Sequence, residues 1–595
     1  MELIQPEIAL TGIKLDKETY SAETGTTLQL IATLQPEGAT ADINWTSSDT
    51  RVATVSSDGL VNLISTGTAD ITASAMTFSA SCKVTVTAPQ STDDLKYKTD
   101  DTAGTALVTY DPEYAGDITI PAKAYINGKE YVVAGFDAGA LLNNTKVTSI
   151  TMESPLKVFS KNAFNGATAI REVSYPSMDE WLTIDFPEMS SNPLCNGATM
   201  SINGIPVSEI EWPVGITEIK PYTFCGLNGV KDIAIPASVT KIGNAAFSKA
   251  ADLLTADLTK TEATLASAVF KDCTSLMAVG LPKNLTKISQ ALFSGCTALK
   301  NMHIPNSVTT IDAQAFLNCS SLATISLSES LTMISMQAFY GCTSLSRITS
   351  LAETAPSFFT YDIDPTTYGE AFSPSIFPTC NVVILTSNYM AYKRANGWEN
   401  FKTWEYYKAA SGGGMTFRYY VNNGLAIVEA AEADESGNLS IPATVSISGK
   451  TYSVAGMDSQ VFLFNDNLKS ISIPNTMQAV GDFAFGGCRN LESIVCDATT
   501  PPTAQQYTFY GVQPEKCSLT VPETSKAAYR EAIGWKDLMT DSDPVGVDCV
   551  DNAEVISVRY FTLQGMEVTD PERGSLLIKI TTDKNGRNTA SKIVF

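Results

Sequence analysis

The sequence predicts a mainly β chain: a β-sandwich, then two tandem solenoids of 23-residue coils, then a short C-terminal β-segment. Three observations predict it. Phe224, Phe247, Phe270, Phe293, Phe316 and Phe339 follow one another at a constant spacing of 23 residues. Residues 7–88 instead hold short alternating runs, such as TTLQLIATLQP and VATVSSDGLVNLIS, separated by turn residues. Two further passages recur at constant offsets, which doubles the solenoid.

Size and charge bound the function. A chain of 595 residues is too long for one ordinary core. Its formal net charge of −23 argues against nucleic acid and anionic membrane as partners. No segment approaches the ~18–20 apolar residues that span a bilayer. The first residues, MELIQPEIALTGIKLDKETY, carry acids where a secretory signal would be basic and then apolar. Taken literally this is a cytosolic chain. The segments described next favour a mature exported chain whose leader has been removed.

Residues 7–88 read as a sandwich because short strands alternate with turn signals at close spacing. The passage WTSSDTRVATVSSDGLV closely resembles the bacterial Ig-like group 2 family. That resemblance implies Trp45 as a buried central aromatic, with Cys82, Val84 and Val86 on one inward face of the last strand. It also implies a spacer module of an extracellular bacterial protein.

The repeat reads F-x-x-C-x-x-L-x-x-I-x-I-P-x-x-V-x-x-I-x-x-A. Its L-x-x-I-x-I part alternates with period two, so it is a short strand, and the Pro ends it. One such coil cannot bury its apolar side alone; stacked coils, with strands about 4.8 Å apart, can. The pattern is that of a leucine-rich-repeat solenoid. Units such as FSGCTALKNMHIPNSVTTIDAQAF resemble BspA-type leucine-rich repeats, over roughly residues 93 to 540 with gaps. The resemblance implies a surface protein that adheres to or recognises host or neighbouring-cell macromolecules. One unit departs from the period: 60 residues separate Phe164 from Phe224, and the excess includes DEWLTIDFPEMSSNPLCNGATMSINGIPV.

GDITIPAKAYINGKEYVVAGFD from Gly116 matches GNLSIPATVSISGKTYSVAGMD from Gly437, at an offset of 321. CNVVILTSNYMAYKRANGWENF from Cys380 matches CSLTVPETSKAAYREAIGWKDL from Cys517, at an offset of 137. Each solenoid, 93–408 and 415–540, is thus expected to have its own opening and closing piece, with Ser411–Gly414 as the joint. Residues 545–595 read as strands with a hairpin at Asn585–Gly586. They resemble the C-terminal β-segment of many secreted Bacteroides-group proteins, some of which are sorting signals.

Candidate chemistry is sparse. Cys273, Cys296, Cys319, Cys342 and Cys488 each stand three places after the repeat Phe. They read either as a metal or redox ladder or as a column of small buried hydrophobes. Packing is favoured, because no C-x-x-C pair accompanies them and His303 is the one histidine in the chain. His303 lies between inward Met302 and Ile304, so it points outward and leaves no imidazole for a triad. No nucleotide-binding glycine loop or HExxH occurs. No catalytic residue, cofactor or metal is expected.

The outward strand positions, among them Thr148, Lys231, Ala278, Thr324 and Thr349, read as a small, mildly polar face. Aromatics gather instead between Pro356 and Tyr407, where thirteen occur. Many of these suit a plug for the solenoid end. The stretch FFTYDIDPTTYGEAFSPSIF reads as an insertion absent from the second closing piece. Phe358, Phe359, Tyr361, Asp362, Asp364, Tyr368 and Phe372 are therefore the candidate binding residues. The expected partner is a host extracellular protein or glycan. A carbohydrate-binding or carbohydrate-active protein using the aromatic, acidic loop 356–378 is the alternative.

Overall fold

The computed structural model describes residues 8–87, 94–359, 371–407 and 418–539, apart from 423, 431–436 and 448. It also describes four later strands: Val555–Phe561, Glu567–Val568, Leu576–Asp583 and Asn588–Val594. The chain forms two compact units, Met1–Lys408 and Ala409–Phe595.

The first unit opens with the sandwich. Thr19–Glu23, Phe78–Thr87, Gly67–Ala75 and Asn44–Ser47 form one sheet, and Thr27–Gln29, Leu60–Leu63 and Ala53–Val55 another. Cys82, Val84 and Val86 face the core as expected, with Ile71, Val61 and Leu63. Trp45 does not. Its strand is the edge of its sheet, so the ring is half-buried at the margin of the core, packed where Gly59 leaves room for it.

Each coil of the first solenoid contributes a parallel strand in register with the next, as in Asn301↔Thr324↔Arg347. A shorter row, Lys287–Ile288, Thr310–Ile311 and Met333–Ile334, runs on a second side. Between the rows lies the phenylalanine ladder. Successive rings from Phe224 to Phe339 lie 5.1–5.8 Å apart and 2–22° from parallel, a spacing set by the coil repeat. The extra residues after Phe164 widen one coil. They bury Tyr175 and Trp181 and end that parallel sheet in a hairpin, Thr199–Ile202 with Ile205–Pro206.

Two left-handed residues flank each ladder ring, two places before and two places after it. Around Phe293 and Phe316 they are Ala291 and Gln314 before, and Gly295 and Asn318 after. The later position shows an ordered choice of residues. Asp272 is followed one coil on by Gly295, and Asn318 by Gly341. The reason is close approach: a Cβ at Gly295 would overlap the Asp272 carboxylate, and one at Gly341 the Asn318 amide oxygen.

The second unit repeats this plan in fewer coils. Its opening sheet, Arg418–Asn422, Leu425–Ala430, Lys450–Met457 and Thr444–Ile447, has the strand order of Tyr97–Asp100, Thr105–Val108, Lys129–Phe136 and Lys123–Ile126. Phe462, Phe485 and Phe509 stack as its ladder. In the C-terminal segment Leu576–Asp583 pairs antiparallel with Asn588–Val594, on either side of the expected hairpin. Asn585 and Gly586 themselves lie outside the described residues.

Candidate binding site on the closing piece

Both closing pieces are built on a tyrosine and a tryptophan six residues apart. The Tyr392 and Trp398 rings meet edge to face at 5.2 Å, and Tyr529 and Trp535 do so at 5.3 Å. All four are fully buried. The Tyr392 hydroxyl donates to the Ala352 carbonyl at 3.2 Å, and that of Tyr529 to the Ala498 carbonyl at 2.8 Å. Trp398 and Trp535 donate their indole N–H to the Pro356 and Pro502 carbonyls, each at 2.8 Å. Every polar tip of this plug has a partner.

The expected binding residues divide into three groups. Phe372 is 3% exposed and stacks 5.0 Å below Phe339, as Phe509 stacks under Phe485. It is the last ring of the ladder in both pieces, so it does not belong to the insertion. The step of 42 residues from Pro356 to Trp398, against 33 from Pro502 to Trp535, places nine extra residues before Phe372. Phe358 is half-buried against Trp398 and Phe372, and Gly397 leaves room for its ring. Phe359 is 43% exposed. Tyr361, Asp362, Asp364 and Tyr368 lie outside the described residues.

The cysteine column is packing. Cys273, Cys296, Cys319 and Cys342 are fully buried and donate S–H to the carbonyls of Phe247, Phe270, Phe293 and Phe316, all at 3.1 Å. Cys488 does the same to Phe462 at 3.0 Å. Burial pushes the Cys319 thiol well above its ordinary range and that of Cys488 up to about 12, so neither is a ready thiolate. Among the described residues no three His, Cys, Asp or Glu side chains are grouped as metal ligands. His303 is exposed between buried Met302 and Ile304.

The outward face of the sheet is less uniformly polar than its sequence suggests. Thr255 donates to Asp232 and Thr324 to Asn301, each at 2.7 Å, yet Ala278 and Thr349 are buried. At the closing end that face turns apolar: Leu351, Val383 and Tyr407 form a small cluster of their own, joined by Leu385.

One element was not anticipated. After Trp398 the first closing piece adds the strand Thr403–Tyr406, parallel to Asn381–Ile384. Trp404 and Tyr406 extend the inward rows of Val382 and Ile384, and Tyr389 meets both rings edge-on. Carrying the offset of 137 past the Gly-Trp pair would have revealed it, since Asp541 and Asp543 then stand opposite these two aromatics.

The family models decide the identity of the repeats. The BspA-type leucine-rich repeat region matches in six copies, over residues 133–184, 201–297, 263–360 and 456–535. The chain carries BspA-type leucine-rich repeats. A bacterial Ig-like domain of group 2 matches residues 9–101, ahead of the BspA-type repeats. No curated protein matches the chain. Similar solved structures include a leucine-rich repeat protein from Bacteroides ovatus, 17% identical, covering 72% of this chain and 98% of that one, with a TM-score of 0.31. A leucine-rich cell surface protein from Faecalibacterium prausnitzii is 18% identical, covering 73% and 91%, with a TM-score of 0.21. The pneumococcal vaccine antigen PcpA is 14% identical, covering 75% and 96%, with a TM-score of 0.25. Among the described residues no helix of this chain is long and apolar enough to cross a membrane.

Proposed function

We propose that this protein is exported to the cell surface and recognises a protein of a host or neighbouring cell, without catalysing a reaction. The family of its repeats supports a recognition scaffold in general. The observation that carries the reading is the difference between the two closing pieces. The shorter piece closes its solenoid with the same Tyr–Trp pair and final ladder ring, so the nine added residues of the longer piece are not needed for closure. Phe358 and Phe372 serve packing in this reading, and Phe359, Tyr361, Asp362, Asp364 and Tyr368 are assigned to contact.

The test is a parallel screen of the purified chain on extracellular-matrix protein and glycan arrays. It is repeated with residues 360–370 replaced by the shorter connection of the second piece. Protein hits weakened by the replacement are expected. Binding to glycans alone, or release of reducing sugar, would replace this reading with the carbohydrate one.

A further inference from the structure

We propose that Thr403–Tyr406 is a docking edge for an extended acidic peptide of a partner protein, which adds to the sheet as its next strand. The proposal rests on the recognition reading above and names the chemical class of the partner.

The main chain carries the first half of the argument. Thr403–Tyr406 is the last strand of its sheet and pairs with Asn381–Ile384 on one side. The Tyr407 N–H donates to the Ile384 carbonyl at 2.7 Å. Strand alternation then turns the N–H and C=O groups of Trp404 and Tyr406 to the other side, where no described strand meets them. Natural edges are commonly blunted by a proline, a bulge or inward-pointing charge. This edge has no proline and a regular register, and its one charge, Glu405, stands on the outward face. A row of free groups at strand spacing is matched by another extended main chain. A sugar could stack on the rings but would leave that row unmatched.

Side chains select the peptide. Trp404 is half-buried and Tyr406 is 46% exposed, and theirs is the last described strand of this sheet. Apolar residues at alternate positions of a partner strand would continue those rows. The Lys393 ammonium lies 5.4 Å above the Trp404 ring, and Arg394, next to Lys393 in the chain, and Lys402, next to the strand, are exposed. On a chain of net charge −23 this cationic fringe is complementary to acidic residues. Two copies of so acidic a chain repel each other, which disfavours self-pairing as the occupant.

The experiment selects peptides from a phage-displayed random library on the full chain, then remakes an enriched peptide synthetically and measures its affinity by calorimetry. Acidic sequences with alternating apolar residues are expected. Tyr406→Pro removes an outward N–H at a position where an edge strand tolerates proline, and should weaken binding at least tenfold with Tm nearly unchanged. Tyr406→Thr, which keeps the N–H, should weaken it about threefold, and Lys393→Glu about tenfold. Methylating alternate backbone nitrogens of the peptide should abolish binding. No enrichment, or binding indifferent to both Tyr406→Pro and peptide methylation, overturns the docking edge. An array-identified protein ligand could still bind in that case, leaving the broader reading intact. A peptide-independent dimer that Tyr406→Pro dissociates would overturn the assigned occupant.

Discussion

Phe358 stacks on Trp398 with ring centroids 5.4 Å apart and planes 29° from parallel. The first residue of a stretch that reads as a binding loop is therefore a wall of the plug. Phe358→Ser should lower the stability of the first unit by about 2–4 kcal/mol through lost burial and a cavity. Phe359→Ser, at an exposed position, should change it by about 0.5 kcal/mol or less. Thermal unfolding of the two single variants distinguishes them, and the reverse order would return Phe358 to the surface.

Phe316 is closed above and below by Phe293 and Phe339, at 5.3 and 5.1 Å. Phe316→Ala should cost about 3–5 kcal/mol, since rings on both sides lose their neighbour. His303→Ala, one strand away but exposed, should stay within about 0.5 kcal/mol. Denaturant titration checks both, and a large loss at His303 would overturn its dismissal.

Cys319 is fully buried and donates its S–H to the Phe293 carbonyl. Cys319→Ser keeps a donor and should be mild. Cys319→Asp should unfold the coil by burying an unpaired charge, at a cost of several kcal/mol. Thiol reagents should label the column only after denaturation. Stoichiometric bound metal or disulfides in the native chain would contradict the packing role.

The buried thiols make stability fall in alkali. Burial raises Cys225, Cys380 and Cys488 to about 12, above the ordinary thiol value of about 8.5. Above pH ~8.5 the unfolded chain releases protons that the native chain keeps, so unfolding is increasingly favoured until pH reaches the native values. Their contribution is fully present below pH ~8.5. Tm should therefore decline between pH ~8.5 and ~12, and less steeply when Cys225, Cys380 and Cys488 are replaced by alanine. An unchanged slope would assign the decline to other groups.

Tyr392 and Tyr529 should be equivalent. Removing either hydroxyl, as Tyr392→Phe or Tyr529→Phe, leaves a buried carbonyl short of a donor and should cost about 1–3 kcal/mol. A loss confined to one of them would show that the two pieces close their solenoids differently.

The solenoids are legible in the sequence because a period of 23 constrains every coil at once, and a misreading of one residue is corrected by its equivalents above and below. Legibility fails where the period breaks. Phe372 follows Phe339 by 33 residues, so spacing alone puts it in the insertion, and the stacking of its ring restores it to the ladder. Trp45 carries the family signature, but an edge strand leaves it half-covered. Trp404 and Tyr406 read as plug residues because aromatic content does not distinguish a covered row from the last, uncovered one. Phe359 is exposed, and Tyr361, Asp362, Asp364 and Tyr368 rest on the sequence alone.

The alternation of Asp272 with Gly295 and of Asn318 with Gly341 means that these coils are not interchangeable beads. Excising the one coil that bears Gly295 would seat Asn318 over the Asp272 carboxylate, where there is no space for a β-carbon. Excising two would bring Gly341 there instead and restore the fit. Excising only the coil that bears Asn318 would set Gly341 after Gly295, where no side chain intrudes, so in this stretch recombination is filtered by which coil is lost, through a side chain that reaches over its neighbour.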